Sequence, residues 1–388
     1  MLALIGLAEM LAMCPWFSAT AVSGDLAREF HLDSSQAAWL TMAVQGGFVA
    51  GTLVSALLNL ADLVSARWVF AAGCLLAAAA NGMTTTAVSP SQAVAWRFAT
   101  GSALALVYPT GMKLVAGWFK ANRGAAFGVL VGSLTLGKAW PYLFAALSHG
   151  GWRSIILISS WLSLAAGVLV VLAVRDGPHV ATSSPFDPSA AVRMFARRAT
   201  RLGVLGYFGH MWELYAMWTW VALYVTTALL VQGHPHAEQL GALAAFVAIG
   251  AGAAGCVIAG VYADRLGRAR VAAWAMMVSA TCCALTVPVF SAPYFVIVAL
   301  VAVWGFSVVA DSAQFSAIVS ETSPPEHLGT ALTVQTCLGF LLTMLSIRLV
   351  SSAAALAGWQ WAFVIVLPGP IFGVQAMTLM MRGRVSEE

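Results

Sequence analysis

Twelve apolar stretches, each of roughly 20 residues or more, run through this chain of 388 residues. That length matches a ~30 Å hydrocarbon core at the ~1.5 Å rise per residue of an α-helix. In lipid the backbone must satisfy its own polar groups, which allows helices or a closed barrel, and unbroken apolar runs favour helices. The approximate spans are 2–23, 36–58, 67–88, 92–117, 124–147, 153–174, 203–231, 239–262, 271–290, 293–318, 328–350 and 359–381. Composition excludes the alternatives. With 61% hydrophobic and 9% charged residues the chain lies far from soluble domains, which carry about 25% charge. Soluble enzyme, disordered scaffold and secreted disulfide module all drop out. Cys14, Cys74, Cys256, Cys282, Cys283 and Cys337 sit in apolar stretches without metal-type spacing and read as small buried hydrophobes.

Basic residues orient the spans. The loops after the even-numbered spans, the central connector and the C-terminal tail hold Arg67, Lys120, Arg123, Arg175, Arg193, Arg197, Arg198, Arg201, Arg265, Arg268, Arg270, Arg382 and Arg384. The opposite side holds Arg28, Arg153 and Arg348. The positive-inside rule therefore puts both termini in the cytoplasm, as in a bacterial inner-membrane protein. The net charge of +4 is accounted for by topology, and no nucleic-acid partner is needed. Ala19-Thr20-Ala21 looks like a signal-peptidase site, yet no basic region precedes it and Glu9 interrupts the apolar run. The reading is an uncleaved first helix behind a shortened start codon.

The one long polar segment, residues 175–200, is rich in proline and serine and basic at its end. It divides the chain into an N-terminal six-helix bundle, 1–174, a cytoplasmic linker, and a C-terminal six-helix bundle, 201–388. The halves echo each other. Ala61-Asp62 matches Ala263-Asp264 at an offset of 202, Gly101 matches Gly305 at 204, Gly124 matches Gly329 at 205, and Gly151-Trp152 matches Gly358-Trp359 at 207. An even number of helices per half makes the repeats parallel, related by an axis along the membrane normal.

At this point the sequence resembles the major facilitator superfamily. Gly260-Val261-Tyr262-Ala263-Asp264-Arg265-Leu266-Gly267-Arg268-Ala269-Arg270, between spans 8 and 9, matches that family's G-x-x-x-D-R-x-G-R-x-R loop. The first-half copy, Asn59-Leu60-Ala61-Asp62 with Arg67, is degenerate. Span 4 carries Arg97-Phe98-Ala99-Thr100-Gly101, similar to the family's intramembrane R-x-x-x-G. Span 5 has Gly128, Gly132 and Gly137 but lacks the Gly-Pro of the proton-antiporter version. Within the superfamily the chain looks closest to the nitrate/nitrite-porter and cyanate-permease branch. The resemblance implies twelve transmembrane helices in two pseudo-symmetric bundles, a secondary transporter rather than an enzyme. It also implies a conformational gate at Asp264, Arg265, Gly267, Arg268 and Asp62, where a helix-end carboxylate pairs with arginines or caps a neighbouring helix while the basic cluster meets lipid phosphates.

Some patterns mislead. Gly132-Ser133-Leu134-Thr135-Leu136-Gly137-Lys138-Ala139 is one residue short of a Walker A loop, but Ala139 lacks the Mg²⁺-holding hydroxyl and no strand precedes it. Gly250-Ala251-Gly252-Ala253-Ala254-Gly255 fits G-x-G-x-x-G inside a span, where small residues serve helix packing. No nucleotide or other cofactor is expected. His234, His236 and Glu238 cluster in one loop with alternating spacing, and they read as ordinary loop polar residues before a metal site.

The informative residues are the charges inside spans: Glu9, Arg97, Lys113, Lys138, Glu213 and Asp311, with His210 beside them. A charge at the centre of a helix costs about 2.5–3.5 kcal/mol on insertion scales. Lys113 lies near a span end and can snorkel; Lys138, fourteen residues into span 5, cannot do so easily. It is the candidate anion-facing charge. Arg97 matches the motif arginine, which the resemblance links to proton transfer or conformational coupling, with a salt bridge as its alternative role. Glu213, with His210 or Asp311, suits reversible proton binding, and Asp311 could instead pair with a base. Glu9 lies in span 1, which the family places at the cavity. His210, Glu213, Met217 and Trp220 share one face of span 7, while Trp212, Tyr215 and Thr219 form an adjacent stripe that could stack on a solute. The expectation is proton-coupled movement of a small organic or inorganic anion, favouring uptake. Efflux of a cationic or amphipathic compound is the alternative. An intramembrane metalloenzyme on His210 and Glu213, or a transporter-like sensor, is the alternative of another class.

Overall fold

A computed structural model describes residues 1–119, 123–148, 150–179, 186–187, 194–324 and 327–385, leaving Lys120, Arg193 and much of the connector outside. Eleven helices in it are long and apolar enough to cross a membrane. The expected span 92–117 is absent from that set because it is divided into Pro90–Leu104 and Tyr108–Trp118. Pro109 explains the division: it has no N–H for the carbonyl four residues back, and its ring excludes that carbonyl. Laid end to end, the two pieces occupy the predicted place, so the bundle keeps twelve crossing segments. Pro15 does the same in span 1, which forms Leu2–Ala12 and Pro15–Ala21. Span 10 forms Tyr294–Ala310 and Ser312–Thr322, with Asp311 at the break and no proline beside it.

The remaining spans are continuous or nearly so. They are Ser34–Leu57, Ala66–Met83, Arg123–Leu147, Gly151–Ala173, Arg198–Val231, Ala237–Leu266, Arg268–Val289 and Leu328–Ala357. Span 12 begins as a 3₁₀ turn, Ala362–Val366, before Pro368–Val385. Asp33 opens span 2 with a capping box: its carboxylate accepts from Gln36 N at 2.8 Å while Gln36 Oε1 accepts from Asp33 N.

The two halves repeat their closest crossings. A Cβ on Gly101 would overlap the Val44 carbonyl oxygen, and one on Gly305 would overlap that of Ala248. Likewise Gly51 abuts the Ser102 carbonyl and Gly255 that of Phe306. Every one of these pairs is separated by 204 residues, the offset that Gly101 and Gly305 show in sequence. In lipid, packing rather than hydrophobic burial drives helix association, and glycine lets backbones meet. The G-x-G-x-x-G run is thus a crossing, with Gly252 and Gly255 seated on span 10. The Walker-like run is another, with Gly137 against the Met10 carbonyl and Gly132 against Ala253.

Two seams join the halves. Span 5 packs along span 8, Gly128 meeting Cys256, and span 2 packs on span 11, where the rings of Phe48 and Phe340 lie 4.7 Å apart.

Candidate functional site

Toward the face carrying the basic loops, the halves part around a cavity of about 700 Å³. Span 4 contributes Tyr108 and Lys113, span 10 contributes Gln314 and Glu321, and Thr52 and Thr333 come from spans 2 and 11. At the opposite face the halves are tied. Arg28 Nη1 donates to Glu238 Oε1 at 2.8 Å across the halves, and Nη2 donates to Asp25 Oδ1 at 2.6 Å. The Glu238 carboxylate, then that of Asp25, hold the Arg28 guanidinium above its ordinary pKa. Glu238, expected among ordinary loop polar residues, therefore serves as half of this tie.

Lys138 stands at the seam above the cavity. Span 5 delivers it, 1% exposed, to the middle of an aromatic group drawn from both halves. Its Nζ donates to Tyr215 Oη at 2.6 Å and lies 4.0 Å from the Trp16 ring centre, 4.9 Å from Tyr215 and 5.4 Å from Trp218. Tyr142, one turn further along span 5, donates to the Trp218 carbonyl at 2.9 Å. Phe340 of span 11 closes the group, 5.1 Å from Tyr215 and 5.6 Å from Trp16. No carboxylate among the described residues stands within 4 Å of the ammonium. The indole N–H groups of Trp16 and Trp218 are buried without a partner. Glu9 of span 1 is fully buried, and neither carboxylate oxygen has a hydrogen-bond partner. Gly111 of span 4 makes room for it, since a Cβ there would come within 2.5 Å of Glu9 Oε2.

Arg97 is held elsewhere. It lies in the interior of the N-terminal bundle, where Nη1 donates to the Pro15 carbonyl at 2.9 Å and to Asn81 Oδ1 at 2.6 Å. Nη2 donates to the Trp16 carbonyl and Nε to that of Leu40. Asn81 in turn donates to the Ile156 carbonyl and to Ser160 Oγ, so one guanidinium ties spans 1, 2, 3 and 6. Its acceptors are all neutral. Trp212 also points away from the seam, donating to the Ile365 carbonyl at 3.2 Å and packing against Gly369 of span 12.

The C-terminal bundle holds its own cluster between spans 7 and 10. His210 Nδ1 and Asp311 Oδ1 lie 2.7 Å apart. The contact lies outside hydrogen-bonding geometry, and both side chains are buried. Glu213 Oε1 accepts from Trp304 Nε1 at 2.7 Å. The face expected to carry His210 and Glu213 together therefore sends them to different partners on one neighbour. Reasoning from sequence missed Trp16, Tyr142, Trp218 and Trp304. Lys138 and Tyr142 at i, i+4, and Tyr215 and Trp218 at i, i+3, were the available signals.

The loop motif lies where span 8 turns into span 9, beside span 5 of the other half. Gly267, with φ of 89°, turns span 8 into span 9 in a conformation that a side chain would strain. Asp264 lies against Gly124, at the N-terminal turn of span 5 in the other half. A helix N-terminus favours such a carboxylate. Arg268 donates to Glu321 Oε1 at 2.6 Å and stands 3.7 Å from Asp264. Arg265 is exposed on the basic face, and the Asp62 side chain lies outside the described residues.

Comparison with known proteins agrees with this architecture. A 169-residue stretch is 29% identical to the putative uncharacterized transporter YgaY of Escherichia coli K12, covering 42% of this chain and 41% of that protein. A 146-residue stretch is 28% identical to a probable actinorhodin transporter of Streptomyces coelicolor, covering 36% of this chain and 25% of that one. The chain thus matches less than half the length of these relatives. The crystal structure of a point mutant of the nucleoside transporter NupG superposes with a TM-score of 0.73 at 14% identity, over 98% of this chain and 99% of that one, a likeness of fold. The Major Facilitator Superfamily model matches residues 5–232 and again 225–387, and the chain belongs to that family of transporters rather than to any class of enzyme.

Proposed function

We propose that this protein carries a small organic anion across the cytoplasmic membrane by alternating access, taking up solute with protons as the two bundles rock about the seam at Lys138. The observation that carries the reading is the buried Lys138 ammonium, held by one hydroxyl of the opposite bundle and by aromatic faces, with no carboxylate among the described residues in contact. A cation so placed is costly, and an entering anion would offset that cost. Walls of Trp16, Tyr215 and Trp218 suit an organic solute. Both nucleotide-like motifs are helix crossings, which supports an ion gradient as the drive. The missing Gly-Pro in span 5 favours inward transport, and the positive-inside rule supports a cytoplasmic basic face. Reconstituted vesicles loaded with a pH dye test the scheme. Benzoate added outside should move protons inward with the wild-type protein and not with Lys138→Ala; equal proton movement in both would sink it.

A second reading rests on the same rings. Aromatic faces attract cations, so a solute ammonium could displace that of Lys138 from its place over Trp16. Lys138→Met would then raise transport of tetraphenylphosphonium rather than abolish flux.

A further inference from the structure

Resting on the anion reading above, we propose that the indole N–H groups of Trp16 and Trp218 are the carboxylate-binding donors of the site, and that they select a flat, apolar monocarboxylate such as an aromatic acid. Both N–H groups are buried without a partner, in side chains only 1% exposed. Trp212, Trp220 and Trp304, on the same bundle as Trp218, each donate to an acceptor. A buried donor is normally paired, because an unbonded one has given up its water for nothing. Here the carbonyls of the ring-bearing residues are already taken. That of Trp16 accepts from Arg97, that of Trp218 from Tyr142 and that of Tyr215 from Thr219. Donors are left over: the two indole N–H groups, the remaining hydrogens of the Lys138 ammonium, and the hydroxyl hydrogen of Tyr215, whose oxygen accepts from Lys138.

The two indoles belong to opposite bundles and flank one ammonium. Their ring centres lie 4.0 Å and 5.4 Å from Lys138 Nζ. The rings close on one another across the seam, with Tyr215 at 5.8 Å from Trp16 and 5.3 Å from Trp218. Parting the bundles divides the donors between two walls, and the cavity lies beneath them. Val131, two turns before Lys138 on span 5, lines that cavity, as does Thr52, one turn beyond Phe48 on span 2. An orphan N–H alone does not make a site. Trp140 has one too, but it sits two residues on from Lys138, on the opposite face of span 5, with its ring against Phe144 and Phe246. Donors gathered round a single cation suit a head that only accepts and carries one charge. A carboxylate can take one indole N–H on each oxygen while the ammonium supplies the counter-charge. Its body then lies among Phe48, 5.1 Å from Trp16, and Phe17, 6.1 Å from Trp218. The same arrangement rejects other solutes. An α-ammonium meets like charge, a second carboxylate lacks a second cation in the group, and a body rich in hydroxyls loses its water to phenyl rings.

Two measurements on the purified full chain test the assignment, with benzoate as the probe. The first is NMR of protein labelled at its indole nitrogens. Benzoate should move two indole proton signals downfield, as new hydrogen bonds to an anion do, and these should be the signals missing from Trp16→Phe and Trp218→Phe. The signal missing from Trp140→Phe should stay in place. The second is calorimetry. Trp16→Phe and Trp218→Phe should each bind benzoate about tenfold more weakly or worse, the effect of losing one hydrogen bond to a charged group, and Trp140→Phe should bind it as the wild type does. The wild-type protein, whose folding no variant puts in question, should bind phenylalanine, benzylamine and phthalate at least about tenfold more weakly than benzoate. Benzoate that binds while both signals stay in place overturns the assignment and leaves the anion reading standing. So does phenylalanine that binds as tightly as benzoate. If the wild-type protein binds neither benzoate nor phthalate, the anion reading fails and the assignment with it.

Discussion

Arg97 and Lys138 are both cations buried in the N-terminal bundle, and they are finished in opposite ways. Arg97 gives its donors to four carbonyl or amide oxygens of its own bundle. Lys138 gives one hydrogen bond, to the other bundle, and rests its remaining charge on rings. A guanidinium offers five donors in a fixed fork, and such a fork can be filled once and kept. An ammonium on a flexible stem can change partners without breaking a lattice. The contrast separates a cation that builds the bundle from one poised at the surface where the bundles meet. They also touch in series, since Arg97 bonds the Trp16 carbonyl and the Trp16 ring covers Lys138.

The contrast breaks most visibly at Arg97. Replacing it with Met strands the acceptors at Asn81, Pro15 and Trp16, each costing about 1–3 kcal/mol when buried and unpaired. Arg97→Met should therefore lose several kcal/mol and fail a thermostability assay in detergent. Arg97→Lys should not rescue it, because one ammonium cannot span oxygens on three helices. A stable, transport-competent Arg97→Lys would mean that the network is dispensable.

Lys138→Met should do the reverse. Replacing a poorly compensated buried ion with a hydrophobe is often neutral or stabilising by about 1–4 kcal/mol. Melting should stay near the wild-type value while benzoate-driven proton flux disappears. Should Lys138→Met melt as early as Arg97→Met, the two cations would not differ in kind. Tyr215→Phe removes only the hydroxyl that accepts from Lys138, a hydrogen bond to charge worth about 1.5–3 kcal/mol. Flux should survive at a reduced rate, with fluorescence of the neighbouring Trp16 and Trp218 altered; an unchanged spectrum would detach the hydroxyl from the site.

Much of the scaffold was legible in the sequence, and the distinction between these cations was not. Hydropathy located the spans, and the Gly101 to Gly305 offset marked crossings that the fold repeats at Gly51 and Gly255. Pro15 and Pro109 signalled breaks that a hydropathy window passes over. The break at Asp311 has no such signal. Arg97 and Lys138 both read as intramembrane bases because what separates them is the identity of their acceptors. Those of Arg97 include backbone carbonyls 57 to 82 residues away, and a carbonyl has no sequence signature. Trp16 and Trp218 were hidden by abundance among 15 tryptophans, most of them plausible packing residues.

The smallest effect belongs to a third cation, one that solvent can replace. Arg153 donates to Glu29 Oε1 at 2.6 Å beside Trp152, whose indole N–H also reaches Glu29. The Arg153 bonds first, then that of Trp152, hold the Glu29 carboxyl below the usual carboxylate range. Folding therefore favours the ionised form. Its contribution is complete above the unfolded value of about 4.3 and is lost as pH falls through the lower folded value. Glu29 is 36% exposed, so solvent and salt screen the pair, and its worth is about 0.2–1 kcal/mol. Glu29→Gln should lower the melting temperature slightly at neutral pH, and the gap from wild type should close in acid or high salt. A gap that persisted at low pH would show that Glu29 stabilises by packing rather than charge. Arg153 would then stand with Arg97, as a cation whose partners are structural in every condition.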